Sequence, residues 1–180
     1  MNLSTEILAK IDRLIPRYPT ERSAVLPICH LIQEEQGYIS EEAMEWIAAK
    51  LKLQPINVYE LVTFYPMLRQ KPAGRHQVKV CRTLSCALRG AYKTCATLEK
   101  ALKCKRGATS ENGDYSIEFV ECQADCALGP VVIVNETLYP NVDSQKAKLL
   151  ADHIKASSEN NPSELSTETQ QGQSLVAKPA

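Results

Sequence analysis

Four of the chain's seven cysteines stand as two spaced pairs, Cys81 and Cys86 as C-x4-C and Cys122 and Cys126 as C-x3-C. Thiolate sulfur is a ligand of both structural zinc and iron–sulfur clusters, and four thiolates complete either site. A [2Fe–2S] cluster takes two thiolates on each iron, which suits two separated pairs. Zinc asks only for four donors in a tetrahedron and tolerates the same short loops. A Rieske centre needs two histidines among its ligands. The chain has only His30, His76 and His153, and none is paired with the cysteine motifs. Spacing alone therefore leaves three readings open: iron–sulfur, zinc, and plain buried or redox thiols. A thioredoxin-type dithiol enzyme fits poorly, because no C-x-x-C is present.

The pairs do chemistry together only if the fold makes them converge. Cys81 ends a predicted strand over His76–Cys81, and Cys122 ends another over Tyr115–Cys122. Between them Leu88, Ala91, Tyr92, Cys95, Leu98 and Leu102 form the apolar face of an amphipathic helix. A helical crossover between strands suits parallel pairing. Both pairs would then emerge at one edge of the sheet, at the carboxyl ends of the strands. Cys86 falls just ahead of the crossover helix, whose positive end would face an anionic centre. Gly129-Pro130 reads as a turn. Val131–Val134 and Thr137–Tyr139 follow as an antiparallel hairpin through Asn135-Glu136, and Ala147, Leu150, Ala151 and Ile154 mark a last helix. The result is a small mixed sheet covered by helices, similar to a thioredoxin-like half-domain.

The segment before it has a helical period. Leu3, Ile7, Leu8, Ile11, Leu14 and Ile15 make one stripe, and Tyr18-Pro19-Thr20 stops it with Thr20 as the next N-cap. Val25, Ile28, Cys29 and Ile32 make a second stripe, ended by Gly37. Ser40 caps a third helix carrying Met44, Ile47, Ala48 and Leu51. A short fourth helix carries Val58, Leu61 and Val62, and Phe64 and Tyr65 close the helical part as core residues. Lys71-Pro72-Ala73-Gly74 is a breaker cluster and marks the boundary. The fold class is α+β, a helical bundle over residues 1–70 followed by a thioredoxin-like α/β domain over 75–156. Residues 157–180 are rich in Ser, Asn, Glu, Gln, Thr and Pro, and are expected to be disordered.

Formal net charge is zero, so charge advertises no nucleic-acid partner. No apolar run has the length of a membrane span. The charged N-terminus does not read as a signal peptide, which points to the cytosol, where thiols stay reduced. An odd cysteine count argues further against a pure disulfide framework. Cys29 and Cys95 lie on apolar helix faces and read as packing, while the role of Cys104 is open. No Gly-rich nucleotide loop is present, so the chain is not expected to bind NADH or flavin by itself, and a redox centre here implies a partner protein.

Longer motifs carry a resemblance. Tyr18-Pro19, Ser23-Ala24-Val25-Leu26-Pro27, Gln33-Glu34-Glu35-Gln36-Gly37-Tyr38-Ile39-Ser40, Val62-Thr63-Phe64-Tyr65 and Pro72-Ala73-Gly74-Arg75 belong to it. So do Cys81-Arg82-Thr83-Leu84-Ser85-Cys86-Ala87-Leu88-Arg89-Gly90-Ala91 and Glu121-Cys122-Gln123-Ala124-Asp125-Cys126-Ala127-Leu128-Gly129-Pro130, continuing through Asn135 and Tyr139. Together, over Tyr18 to Ile154, they resemble the small thioredoxin-like [2Fe–2S] subunit of respiratory complex I, the E subunit in bacteria. The resemblance implies that Cys81, Cys86, Cys122 and Cys126 bind one [2Fe–2S] cluster. It implies an electron-transfer subunit of NADH–quinone oxidoreductase, partnered by the NADH- and FMN-binding flavoprotein subunit with the large iron–sulfur subunit nearby. It would sit peripherally on the cytoplasmic side of the inner membrane through the complex, with no acid, base or nucleophile of its own. Equivalent subunits of NAD-linked hydrogenases and formate dehydrogenases share the motifs and form the alternative.

One position departs from the pattern: such subunits usually carry glycine where this chain has Ala124. Glycine there would permit a left-handed backbone that alanine resists. Beside it, Asp125 places a carboxylate next to an anionic centre, with Arg82 and Arg89 as opposing charges. Taken alone, Asp125 disfavours reduction, so potentiometric titration of Asp125→Asn should give a higher midpoint than wild type.

Overall fold

The structure, a computed structural model, describes residues 3–160. It divides between Ala73 and Gly74 into two compact units.

The first unit is helical: α1 (Thr5–Leu14), α2 (Val25–Gln36), α3 (Glu41–Leu51) and α4 (Pro55–Phe64). Local chemistry sets the ends. Ser4 Oγ accepts from Ile7 N at 3.3 Å, and Ser40 Oγ accepts from Ala43 N at 3.1 Å. Each serine thereby satisfies one of the N–H groups that a helix start leaves unpaired. Thr20 Oγ1 accepts from Ser23 N at 3.2 Å ahead of the 3-10 turn Arg22–Ala24, whose N-cap position is Glu21, and Thr20 does not cap α2. Gly37 ends α2 at φ 83°. Ile11, Val25, Ile28, Cys29, Ile32, Ile47, Val58 and Val62 are buried together in this unit's core. Phe64 is not part of it. Its side chain is 74% exposed, because it lies two residues beyond the buried Val62, about 200° round the helix. Tyr65 is half-buried and meets the Phe64 ring edge-on at 5.1 Å.

The second unit is a five-stranded sheet with helices. Its elements are β1 (His76–Cys81), α5 (Leu84–Leu88), α6 (Ala91–Leu102), β2 (Ala108–Thr109), β3 (Tyr115–Val120), β4 (Val132–Val134), β5 (Thr137–Tyr139) and α7 (Ser144–Asn160). The sheet order is β2-β3-β1-β4-β5. β1 and β3 pair in parallel, from His76 opposite Tyr115 to Cys81 opposite Val120. β4 runs antiparallel to β1, and β5 antiparallel to β4, as the hairpin pattern predicts. Asn135 turns the hairpin at φ 55° and exchanges hydrogen bonds with the Gln77 backbone through its own N–H and its side chain, both at 2.9 Å.

Several expectations need correction. The crossover is two helices, because Gly90 at φ 98° interrupts it. The turn shifts the face, leaving Leu88 79% exposed and Tyr92 exposed as well. β3 stops at Val120, so Cys122 lies two residues beyond the strand end. The edge strand β2 was not expected. It has two residues, too few to show a period of two. α7 continues through residues 157–160, which were expected to be disordered, because the Ile154 stripe leads into a further helical turn. The rest of that tail, 161–180, lies outside the described residues.

Val78, Val80, Cys95, Leu98, Ile117, Val132, Ala147 and Ala151 are buried in the core of this unit. Thr94 is buried on α6 and donates its hydroxyl to the Val142 carbonyl at 2.6 Å, tying α6 to the approach to α7.

His76 opens β1 almost without exposure, stacked on Tyr115 with ring centroids 6.0 Å apart. Its Nε2 has no hydrogen-bond partner. Burial, helped by Arg75, pushes the imidazole below its ordinary value, against the pull of Asp114. A histidine whose folded pKa is depressed takes its proton more readily in the unfolded chain. Stability is therefore complete above the unfolded pKa of about 6.5 and is lost as pH falls below it. Urea midpoints measured at pH 7.5 and 5.5 should show this loss, and His76→Phe should reduce the difference.

Candidate metal centre

The parallel pairing of β1 with β3 determines where the cysteines go. β1 carries Cys81 at its carboxyl end, and β3 ends beside it at Val120. The Arg82 N–H donates to the Val120 carbonyl at 3.0 Å, so both chains leave the sheet side by side. Cys86 follows within α5, not ahead of a long helix as expected. The long α6 begins only after Gly90, with the short α5 between its start and β1.

Arg89, at the end of α5, draws in the second pair. Its guanidinium donates to the Ala127 carbonyl at 2.6 Å and to the Gly129 carbonyl at 3.2 Å. Gly129 lies so close that a Cβ there would stand 3.1 Å from Cys86 Sγ. The loop carrying Cys122 and Cys126 is thus held against α5. Within it the two sulfurs are 3.4 Å apart. Ala124 adopts φ 64° and directs its N–H at Cys122 Sγ from 3.4 Å. The glycine expected here would take this left-handed conformation without the steric cost alanine bears.

The two pairs differ in burial. Cys81 and Cys86 are 1% and 2% exposed, whereas Cys122 and Cys126 are exposed. Their thiols share one electrostatic neighbourhood. Burial works to raise the Cys81 thiol, but hydrogen bonds from the Thr83 hydroxyl and backbone, Cys86 and Gln123 outweigh it and hold the group below its ordinary value. The Ala124 N–H, with Cys126, lowers Cys122. Burial raises Cys86, and the hydrogen bond with Cys122 raises Cys126. Favouring thiolate on one member of each pair suits soft metal ligation.

Among the described residues, no group of three or more His, Cys, Asp or Glu side chains is arranged around a single ion. The sulfurs are presented as pairs, and a binuclear cluster takes two thiolates per iron. The donor set fits a [2Fe–2S] cluster on that chemistry.

The surrounding charges are largely engaged. Arg82 pairs with Glu121 through Nη2 at 2.7 Å and Nε at 3.0 Å, and Arg89 is bound to carbonyls. Neither is an unengaged cation opposite Asp125. Cys29 and Cys95 are buried in the two cores, and burial pushes their thiols up to about 12 and about 11. Cys104 is also buried and donates to backbone carbonyls, including Ala108 at 3.4 Å and Tyr115 at 3.5 Å, which makes it a structural thiol.

Sequence reasoning missed Thr83 and Ser85. The Thr83 hydroxyl lies 3.2 Å from Cys81 Sγ, and Ser85 opposes the upward pull of Cys122 on the Cys126 thiol. Hydroxyl residues between two ligands at a helix start were the available signal.

Several known proteins resemble the chain. A relative from Rhizobium meliloti (strain 1021), the second of its E subunits of NADH-quinone oxidoreductase, is 31% identical over 147 residues, covering 82% of this chain and 88% of its own length. The E subunit of NADH-quinone oxidoreductase from Mycobacterium bovis is 32% identical over 155 residues, covering 84% of this chain and 62% of its own length. The crystal structure of an NAD+-reducing [NiFe]-hydrogenase in the air-oxidized state superposes with a TM-score of 0.63 at 19% identity, covering 77% of this chain and 24% of that one, a likeness of fold alone. Residues 11–155 match the model of the thioredoxin-like [2Fe-2S] ferredoxins. A match of that extent, on a fold that brings two cysteine pairs to one end of a parallel strand pair, makes this chain a member of the thioredoxin-like [2Fe-2S] ferredoxin family.

Proposed function

We propose that this chain is an electron-transfer subunit of an NADH–quinone oxidoreductase, holding one [2Fe–2S] cluster on Cys81, Cys86, Cys122 and Cys126. The reading is supported by the parallel pairing of β1 with β3, which sets Cys81 beside the chain leading from Val120 to Cys122, and by Arg89 and Gly129, which hold the second pair's loop against α5. When bound, the cluster supplies one-electron chemistry and no group transfer. The protein's part is to hold the sulfurs, to exclude water from Cys81 and Cys86, and to leave Cys122 and Cys126 open on the other side. No side chain at the site serves as acid, base or nucleophile, so the subunit does not act by itself.

The electron donor we infer is the flavin of an NADH- and FMN-binding partner subunit, with a large iron–sulfur subunit in the same complex. Relatives at 31% and 32% identity, both named as quinone-linked E subunits, favour this over the hydrogenase or formate dehydrogenase alternative. Among the described residues, no helix is long and apolar enough to cross a membrane. We place the subunit peripherally, on the cytoplasmic side of the membrane and attached through the complex.

The test is to isolate the tagged chain from its own cells with whatever binds it. A co-purifying flavoprotein, iron with acid-labile sulfide, and reduction of the cluster by NADH are expected. A colourless protein with zinc and no sulfide would refute the reading.

A further inference from the structure

Among the described residues, three Ser or Thr residues stand at α-helix N-caps, and one of them does not cap. Ser4 and Ser40 each bond the backbone N–H three residues on. Thr83 holds the same extended N-cap conformation ahead of α5, at φ −71° and ψ 166°, yet its side chain makes no capping bond. The Thr83 hydroxyl is turned instead towards Cys81 Sγ, 3.2 Å away.

We propose that Thr83 is a positioning residue that raises the reduction potential of the centre, its hydroxyl donating to the Cys81 sulfur. The proposal rests on the ligand set given under Proposed function. A ligated cysteine is a thiolate and carries no proton, so the hydroxyl is the only donor in this contact. Cys81 is 1% exposed, so solvent does not stand in for the threonine if the hydroxyl is lost. Adding an electron increases the negative charge on the ligand sulfurs. A hydrogen bond to sulfur therefore stabilises the reduced state more than the oxidised one, and hydrogen bonding is one of the levers that set cluster potentials. The Ala124 N–H acts in the same sense on Cys122, but it is backbone and no substitution short of proline removes it.

The experiment is a potentiometric titration of the cluster-loaded full chain, followed by visible absorption and by EPR of the reduced form. Thr83→Val keeps the shape and removes the donor, while Thr83→Ser keeps the donor. At a fixed ambient potential the reduced-to-oxidised ratio should fall about three- to tenfold in Thr83→Val, the scale of a charge-assisted hydrogen bond partly cancelled between the two states. Thr83→Ser should stay within about twofold of wild type on the same reasoning. If Thr83→Val does not hold the cluster, Thr83→Ala replaces it in the comparison. An unchanged ratio in the donor-less variant overturns the proposal, as does an equal fall in Thr83→Ser, which would assign the effect to the methyl group. Cluster retained by Thr83→Ser but lost by both Val and Ala also overturns it, since the hydroxyl would then anchor the centre and not tune it. Zinc without sulfide in the wild-type chain is a separate failure, that of the ligand reading itself.

Discussion

Cys122→Ala will abolish cluster assembly and leave the folded chain about as stable as before. Cys122 is exposed and lies two residues beyond the end of β3. Its side chain fills no core space, so its removal should cost the apo protein no more than about 0.5 kcal/mol, as at other exposed positions. A cluster that needs two thiolates on each iron loses half the protein ligands of one iron. Cys86→Ala should give the same loss of cluster with a different stability. Cys86 is 2% exposed in the core of the second unit, with Gly129 packed against its sulfur. Removing the sulfur takes away transfer energy and leaves a small cavity, together about 1–2 kcal/mol. Iron and acid-labile sulfide per chain, with urea melts of the two apo variants, separate the effects. Near-stoichiometric sulfide in Cys122→Ala would remove this residue from the ligand set.

Gly74→Ala has the largest expected effect on the fold. A Cβ on Gly74 would collide with the Tyr115 carbonyl carbon and lie 2.6 Å from Ser116 N and 2.7 Å from Tyr115 Cα. All three are backbone atoms of β3, so no side chain can swing aside. The neighbouring bonds leave little room to give. Arg75 N donates to the Gly113 carbonyl at 3.0 Å and His76 N to the Asp114 carbonyl at 2.7 Å, holding the entry to β1 against the turn before β3. Overpacking of this kind costs about 3 kcal/mol when the site cannot relax. The readout is the urea midpoint of the full chain. A change under about 0.5 kcal/mol, the range of neutral surface substitutions, would show that the strand entry yields freely.

Gly74 also marks the limit of what the sequence shows. Beside Pro72 it reads as a breaker, and the chain does divide there, but its close approach to β3 depends on a partner strand 41 residues away. The strands were legible for a plainer reason. β1, β3 and the β4–β5 hairpin carry their own apolar patterns between turn residues, and the helix between β1 and β3 implies that they run parallel. From that pairing came the expectation that the cysteines meet. Periodicity failed where it says which residues are apolar but not which are covered. Phe64, Leu88 and Tyr92 continue helical stripes in the sequence, yet each falls outside the covered face once the helix ends or bends. Gly90 was visible as a break, and its position after Arg89 could have divided the crossover helix. Thr83 was legible only as a hydroxyl between two ligands at a helix start, because a cap and a sulfur donor look identical until the rotamer is known. Ala124 is the reverse case. Only the resemblance, with its expected glycine, pointed to the left-handed backbone found there.

The unequal burial of the two cysteine pairs gives the centre a vulnerable side. Chelators, dioxygen and peroxide are small polar or diffusible reagents that attack what they can touch. They meet Cys122 and Cys126 first, while Cys81 and Cys86 are shielded by the packed core. On the proposed ligand set, the exposed pair is the side from which iron would be stripped, so a partner subunit covering that side would protect the centre as well as reach it.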